Sequence, residues 1–261
     1  MKQQQIRTLW VSDTHLGNKN AQAEALMDFL QQHECETLYL VGDILDLWKM
    51  SKKGHWPKSH QQVLSLIMDK AKDCTTRYIP GNHDPFFRQL DQQCLGDIKI
   101  HKEYIHQLAN GKQLLVTHGD CFDEQISKHP WLFIIGDLSY NLAVNLNRHI
   151  NQLGRALGFS YWSLPSFLKR RSKKAHQYIE QFERLAIARA KELNLDGIVC
   201  GHIHQAKLME VEGIIYANDG DWLEGCHALV EHMDGSLAIV HWASSKKRQS
   251  KRLVQLLPSN N

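Results

Sequence analysis

The sequence predicts a layered α/β fold, a β sandwich flanked by helices, on three observations. In the first half, short apolar runs of strand length alternate with segments of helical periodicity. After His204 the texture changes to closely spaced β runs separated by turn dipeptides. The 261 residues are 43% hydrophobic and 23% charged, enough to bury a sizeable core, which excludes disordered, collagenous and disulfide-stapled classes.

Strands are expected over residues 6–11, 37–41, 76–79, 113–117 and 197–200. Between the first two, residues 21–33 place Ala25, Leu26, Phe29 and Leu30 on one helical face. Ser59 with Gln62 reads as a capping box opening a helix whose Val63, Leu64, Ile67, Met68 and Ala71 form the buried stripe. Later β runs cover 208–211, 213–217, 228–232 and 236–242, with turns at Glu212-Gly213 and Asp234-Gly235, the latter a two-residue hairpin signal. Residues 121–195 read as helical and interrupt the scheme. They are both apolar (Trp131, Phe133, Ile134) and basic (Lys169, Arg170, Arg171, Lys173, Lys174), which favours a lid inserted into a core of 1–120 and 196–243 over one more core layer. The tail, 244–261, is basic and expected to be poorly ordered.

The net charge of +3 hides a segregation: 13 of the 31 Lys and Arg fall in residues 169–191 and 246–252, against only Glu180 and Glu183 there. The remaining body is acidic and holds most of the 16 His. Six Cys are scattered without a C-x-x-C pair, so free thiols in a reducing compartment are expected. Nothing near the N-terminus resembles a secretory h-region. The most apolar stretch, 131–150, is broken by Asp137, Asn141, Asn145 and Arg148. A cytoplasmic protein follows as the expectation, peripheral to the inner face of a membrane at most.

Five apolar runs are each followed at once by metal-ligand residue types. They are Ser12-Asp13-Thr14-His15, Gly42-Asp43, Gly81-Asn82-His83-Asp84, His118-Gly119-Asp120 and Gly201-His202-Ile203-His204. Ligands gather at the carboxyl ends of strands in such folds, so five separate segments would converge on one rim. Carboxylate, imidazole and amide donors suit Mn²⁺, Fe²⁺ or Zn²⁺, and no thiolate joins them. Residues at i and i+2 point to opposite faces of a regular strand, so Asp13 with His15, and His202 with His204, meet one ion only where the chain has turned. Any one of these elements alone fits an ordinary turn or cap.

As an ordered set, D-x-H, G-D, G-N-H-D, a later H and G-H-x-H resemble the calcineurin-like metallophosphoesterase superfamily from Asp13 to His204. The resemblance implies a four-layer αββα sandwich, here with a helical lid insertion, and two divalent metals, Mn first. Asp13, His15 and His204 would hold one metal, Asn82, His118 and His202 the other, and Asp43 would bridge. His83 would donate to a phosphoryl or leaving oxygen, with Asp84 fixing its orientation. Thr117 and Asp120 would orient His118.

The block Gly42-Asp43-Ile44-Leu45-Asp46-Leu47-Trp48, the helical insert and Gly220-Asp221-Trp222 are similar to the UDP-2,3-diacylglucosamine pyrophosphatase branch, which acts in lipid A synthesis. The best-known members of that branch carry Arg where this chain has His83, so the pattern fits a related subgroup. In that branch the lid binds substrate through basic side chains, here Arg171, Lys173 and Lys174, alongside Asn82 and His83. Trp131, Phe133, Tyr161, Trp162 and Phe167 would line an acyl chamber or simply fill the lid core. The partner expected is an anionic phosphoester, lipid-linked in this branch, with the insert's basic and apolar surface resting on an anionic membrane. A nuclease, a nucleotide phosphodiesterase, a broad-specificity phosphatase and a non-catalytic interaction scaffold are the alternatives. Metal identity, acyl-chain length and oligomeric state are not specified by these motifs.

Overall fold

The computed structural model describes residues 4–54, 56–126, 172–243 and 250–257. The chain forms two compact units, residues 1–120 with 186–261, and residues 121–185.

The first unit is built on two sheets. An eight-stranded sheet contains β1 (Gln4–Val11), β2 (His33–Val41), β3 (Thr75–Ile79), β4 (Cys94–Leu95), β5 (Ile98–Ile100), β11 (His227–Glu231), β12 (Leu237–Ala243) and β13 (Ser250–Leu257), in the order β13-β12-β11-β1-β2-β3-β5-β4. A five-stranded sheet runs β6-β7-β8-β10-β9, from β6 (Tyr104–Gln107), β7 (Gln113–Val116), β8 (Gly197–Cys200), β9 (Lys207–Val211) and β10 (Ile214–Asn218). β1, β2 and β3 are mutually parallel in the first sheet, and β7, β8 and β10 in the second.

Strand alternation divides the core in two. Leu9, Val11, Leu38, Leu40, Ala228 and Val230 belong to the cluster formed with α1 (Ala23–Gln32) and α3 (Lys58–Asp73), which supply Leu26, Phe29, Val63 and Ile67. The intervening Trp10, Tyr39, Val41 and Leu229 instead join Leu114, Val116, Val199, Ile215 and Ala217 between the sheets. Each fully buried aliphatic side chain contributes roughly 1.5–3 kcal/mol, and a one-residue slip of β1 or β2 would send each row into the core shaped for the other. On the second sheet's other face, Leu115, Ile198 and Tyr216 are buried, as are Ala186, Ile187 and Ala190. Both sheets are covered inside and out, the layering the sequence predicts.

A buried polar cluster ties the sheets together. Glu231 of β11 accepts from Thr8 Oγ1 at 2.5 Å and Arg7 at 2.6 Å, and meets His106 Nε2 of β6 at 3.0 Å. Full pairing is what makes such a burial tolerable.

Three local expectations are corrected. Pro57 precedes α3 and no side chain caps it, because the helix starts one residue before Ser59 and the proposed box is out of register. The two-residue hairpin geometry is found instead at Glu212-Gly213, both at positive φ, between the paired Val211 and Ile214. At Asp234-Gly235 the loop is longer, closed by His232 N–H donating to Ser236 O at 2.9 Å, with Asp234 Oδ1 accepting from Ser236 N–H. Finally, part of the basic tail is an edge strand: β13 pairs antiparallel with β12, Leu237 opposite Leu257.

In the second unit, residues 121–126 and 172–185 are described. Tyr178 OH donates to Asp123 Oδ1 at 2.6 Å, and the Phe122 and Phe182 rings meet edge-on at 5.4 Å. Lys173 and Lys174 open the helix Lys173–Glu192 and are exposed. Arg171, Trp131, Phe133, Tyr161, Trp162 and Phe167 lie outside the described residues. Among the described residues, no helix is long and apolar enough to cross a membrane.

Candidate metal centre

The five motif segments follow β1, β2, β3, β7 and β8 directly, so both sheets deliver their carboxyl ends to one rim. Backbone hydrogen bonds lock the segments together. Asp13 N–H donates to Gly42 O at 3.0 Å, His15 N–H to Asp43 O at 2.9 Å and Gly201 N–H to His118 O at 3.1 Å.

The turns that bring i and i+2 side chains together are made by the ligand candidates themselves. Asp13, His15, Asp43, His202 and His204 all have φ between 45° and 67°. A left-handed conformation costs a non-glycine residue roughly 1–2 kcal/mol, and such strain gathers where structure is held for function. Of the motif glycines, Gly42 and Gly119 also take positive φ, at 79° and 106°, and Gly42 and Gly81 provide room. A Cβ on Gly81 would sit 2.2 Å from Asp43 Oδ1, and one on Gly42 would sit 2.2 Å from His118 Nδ1.

Asp13 and Asp43 each have one oxygen anchored by the backbone. Asp13 Oδ2 accepts from His202 N–H at 2.9 Å, and its Oδ1 faces His204 Nε2 at 3.1 Å and His15 Nε2 at 3.8 Å. Asp43 Oδ1 accepts from His83 N–H at 2.8 Å and faces His118 Nε2 at 3.5 Å, while Oδ2 faces His15 Nε2 at 3.7 Å. The two oxygens of Asp43 thus look toward different histidines, as a bridging carboxylate requires. The donor atoms of Asp13, His15 and His204 lie within 4.8 Å of one another, as do those of Asp13, Asp43 and His118. The His202 ring centroid is 5.2 Å from that of His118. Asn82 sits exposed between Gly81 and His83.

These donors fit divalent cations. Both ring nitrogens of His15 and His118 Nε2 are buried without a hydrogen-bond partner, which is costly unless something else satisfies them. Burial alone would raise the Asp13 carboxyl, yet His204 and His118 bring it down to about 2. Burial alone would lower His118, yet Asp43, Asp13 and Asp120 push its imidazole well above the ordinary value. A site whose carboxylates favour a charged imidazole in its interior is short of positive charge, which a divalent ion would supply.

Two expected roles are corrected. Asp84 does not orient His83. Its Oδ2 accepts from Ile44 N–H at 2.9 Å and from the Tyr78 hydroxyl, and its Oδ1 from Gly81 N–H at 2.6 Å, bracing the two loops against each other. Burial and the nearby Asp43 raise its carboxyl. His118 is held by neither Thr117 nor Asp120, because its Nδ1 reaches Val41 O at 2.9 Å and Asp120 pairs with Arg88 at 2.6 Å.

The carboxylate that reaches His83 is Asp46. Its Oδ1 lies 3.2 Å from His83 Nδ1, its Oδ2 3.6 Å from His15 Nδ1, and it caps α2 (Leu47–Lys53) by accepting from Lys49 N–H at 3.0 Å. Despite burial, His15 and His83 hold its carboxyl far below the usual range. In sequence it reads only as part of the Gly42 to Trp48 block; its spacing three residues after Asp43 was the available signal.

A family model described as Calcineurin-like phosphoesterase matches residues 6–206. A UDP-2,3-diacylglucosamine hydrolase of Blochmanniella pennsylvanica (strain BPEN) is 23% identical over 215 residues, 78% of this chain and 81% of that protein. One of Histophilus somni (strain 2336) is 29% identical over 127 residues, 45% of this chain and about half, 52%, of that protein. Among solved structures, wild-type Vps29 complexed with zinc from Entamoeba histolytica aligns with a TM-score of 0.47 at 12% identity, covering 95% of this chain and 97% of that one.

Proposed function

Because the chain belongs to the calcineurin-like phosphoesterase family, we propose that it is a two-metal hydrolase cleaving the pyrophosphate of UDP-2,3-diacylglucosamine or a closely related acylated nucleotide sugar. The hydrolytic reading is carried by Asp43, whose oxygens face His118 on one side and His15 on the other. The substrate is supported by the names of the relatives and by the likeness of the Gly42 to Trp48 block and of Gly220-Asp221-Trp222 to that branch.

Asp13, His15 and His204 would hold one ion, and His118, His202 and Asn82 the other, with Asp43 shared. When bound, the two ions, Mn²⁺ in our reading, supply the positive charge that activates the attacking water and clamps the phosphoryl oxygens. The chain's own residues do the rest. Asp46 Oδ1 accepts a hydrogen bond from His83 Nδ1–H, which fixes the ring and favours its protonated form. His83 Nε2, 3.9 Å from Asp43 Oδ2, would then give its proton to an oxygen on which charge develops. Trp48, 49% exposed, stands edge-on to His83 with ring centroids 6.2 Å apart. Arg171, Lys173 and Lys174 would bind the anionic head group.

A Mn²⁺-supplemented activity panel tests the reading. UDP-2,3-diacylglucosamine should be hydrolysed with a higher kcat/KM than nucleotide diesters or phosphomonoesters. Preference for a nucleotide diester would sink the lipid substrate and favour a phosphodiesterase. A pure two-metal preparation that hydrolyses no phosphoester would sink both.

A further inference from the structure

Two buried carboxylates share one hydroxyl where β1 ends. Ser12 Oγ lies 2.5 Å from Asp13 Oδ2 and 2.6 Å from Asp219 Oδ1, with Gly220 O at 3.2 Å. A serine hydroxyl carries one proton and satisfies one of these three acceptors. Both carboxylates are fully buried, so no bulk water reaches either to make up the shortfall. With both ionised, two like charges would converge on a single donor in a dry interior. One further proton removes the conflict. Asp13 is the partner that stays ionised, because it also accepts from His202 N–H and faces His204.

The surrounding chain is built around this contact. Asp219 N–H donates to Cys200 O at 3.1 Å and Asn218 Nδ2 to Gly201 O at 2.6 Å, anchoring the segment after β10 to the one that carries His202 and His204. Trp222 N–H donates to Asp13 O at 3.0 Å. Residues 218–222 therefore clasp Asp13 from both sides, by its carbonyl directly and by its carboxylate through Ser12. This gives the Gly220-Asp221-Trp222 motif a physical task that the chemistry at His83 does not use.

We propose that Asp219 is a positioning residue, a neutral carboxylic acid that donates to Ser12 and so commits the Ser12 proton to Asp13, fixing that carboxylate for its metal. The proposal rests on the two-metal reading. Asp219→Asn keeps a donor toward Ser12, whereas Asp219→Ala and Ser12→Ala break the relay at either end.

The test is Mn²⁺ binding to the full chain by isothermal titration, with thermal melts of each variant. Asp219→Ala and Ser12→Ala should each weaken one of two Mn²⁺ equivalents by about 10–100-fold, the usual effect of losing a partner of a metal ligand. Asp219→Asn should stay within about threefold of wild type, and the double Ala variant should be no weaker than either single one. Wild-type affinity in Asp219→Ala overturns the relay, and so does a loss in Asp219→Asn equal to that of Asp219→Ala. Should Asp219→Ala fail to fold, Ser12→Ala decides, since its unchanged affinity also overturns the relay. A wild-type chain that takes up no Mn²⁺ overturns the metal reading and the relay with it, whereas normal wild-type uptake with unaltered variants overturns the relay alone.

Discussion

Asp46 Oδ1 lies 3.2 Å from His83 Nδ1, and the same carboxylate reaches back to His15. Its charge is secured by the histidines it faces, and its position by its second task of capping α2. Asp46→Asn keeps an acceptor for the cap but removes the charge, so turnover should fall about 10–100-fold with stability nearly unchanged. Asp46→Ala should lose about 1 kcal/mol more through the cap. In a His83→Ala background Asp46→Asn should cost far less, because its main partner is gone. Steady-state kinetics on the four variants check this; fully additive losses would show that Asp46 acts through His15 instead.

His83→Ala should lower kcat by about 10²–10⁴-fold while both metals stay bound. The imidazole is placed to donate from Nε2, and Asp43 keeps its contacts to His15 and His118 without it. Elemental analysis beside the kinetics reads the two effects separately. Loss of a metal from this variant would make His83 a ligand.

Gly81→Ala probes crowding with no charge change. The new methyl would stand 2.2 Å from Asp43 Oδ1 and 2.7 Å from Asp43 N, and a backbone atom has little freedom to move. Displacing the shared carboxylate should abolish most metal uptake and reduce turnover by more than about 100-fold, at a stability cost of roughly 1–3 kcal/mol. Retained metal stoichiometry would show that the loop relaxes.

Much of this centre was legible because its signals are local. A metal-ligand type at the end of each apolar run marks a rim, and the i, i+2 spacing of Asp13 with His15 and of His202 with His204 demands a turn there. The source of the turn was not legible. Positive φ falls on Gly42 and Gly119, which admit it readily, but also on the ligands Asp13, His15, Asp43, His202 and His204, whose residue types do not announce it. Sequence adjacency misassigned Asp84: successive residues on a tight turn point apart, and Asp84 faces Tyr78 and the 42–45 loop while Asp46 comes from another strand's end. Short strands such as β4 and β5 carry too few residues for a period to show, and β13 was hidden by its own Lys and Arg. Contacts between distant segments, such as Ser12 with Asp219, have no local signature at all.

Away from the metal centre, His227 should make the fold acid-sensitive. It lies on β11 opposite His241 of β12, ring centroids 5.1 Å apart, with Asp221 nearby and its own Nδ1 buried without a hydrogen bond. Burial, helped by His241 and only partly offset by Asp221, lowers its imidazole to about 4 from an ordinary 6.5. The unfolded chain therefore binds this proton more readily than the folded one. The stabilisation is complete above about pH 6.5 and is lost as pH falls toward about 4, amounting to about 2 kcal/mol between pH 7 and pH 5. Urea unfolding at those two values measures it. His227→Gln, which cannot charge, should remove most of the difference, although Gln fills the site less well and lowers stability at pH 7. If His227→Gln and wild type lose equal stability on acidification, another buried group titrates in that window and His227 is already satisfied in its protonated form.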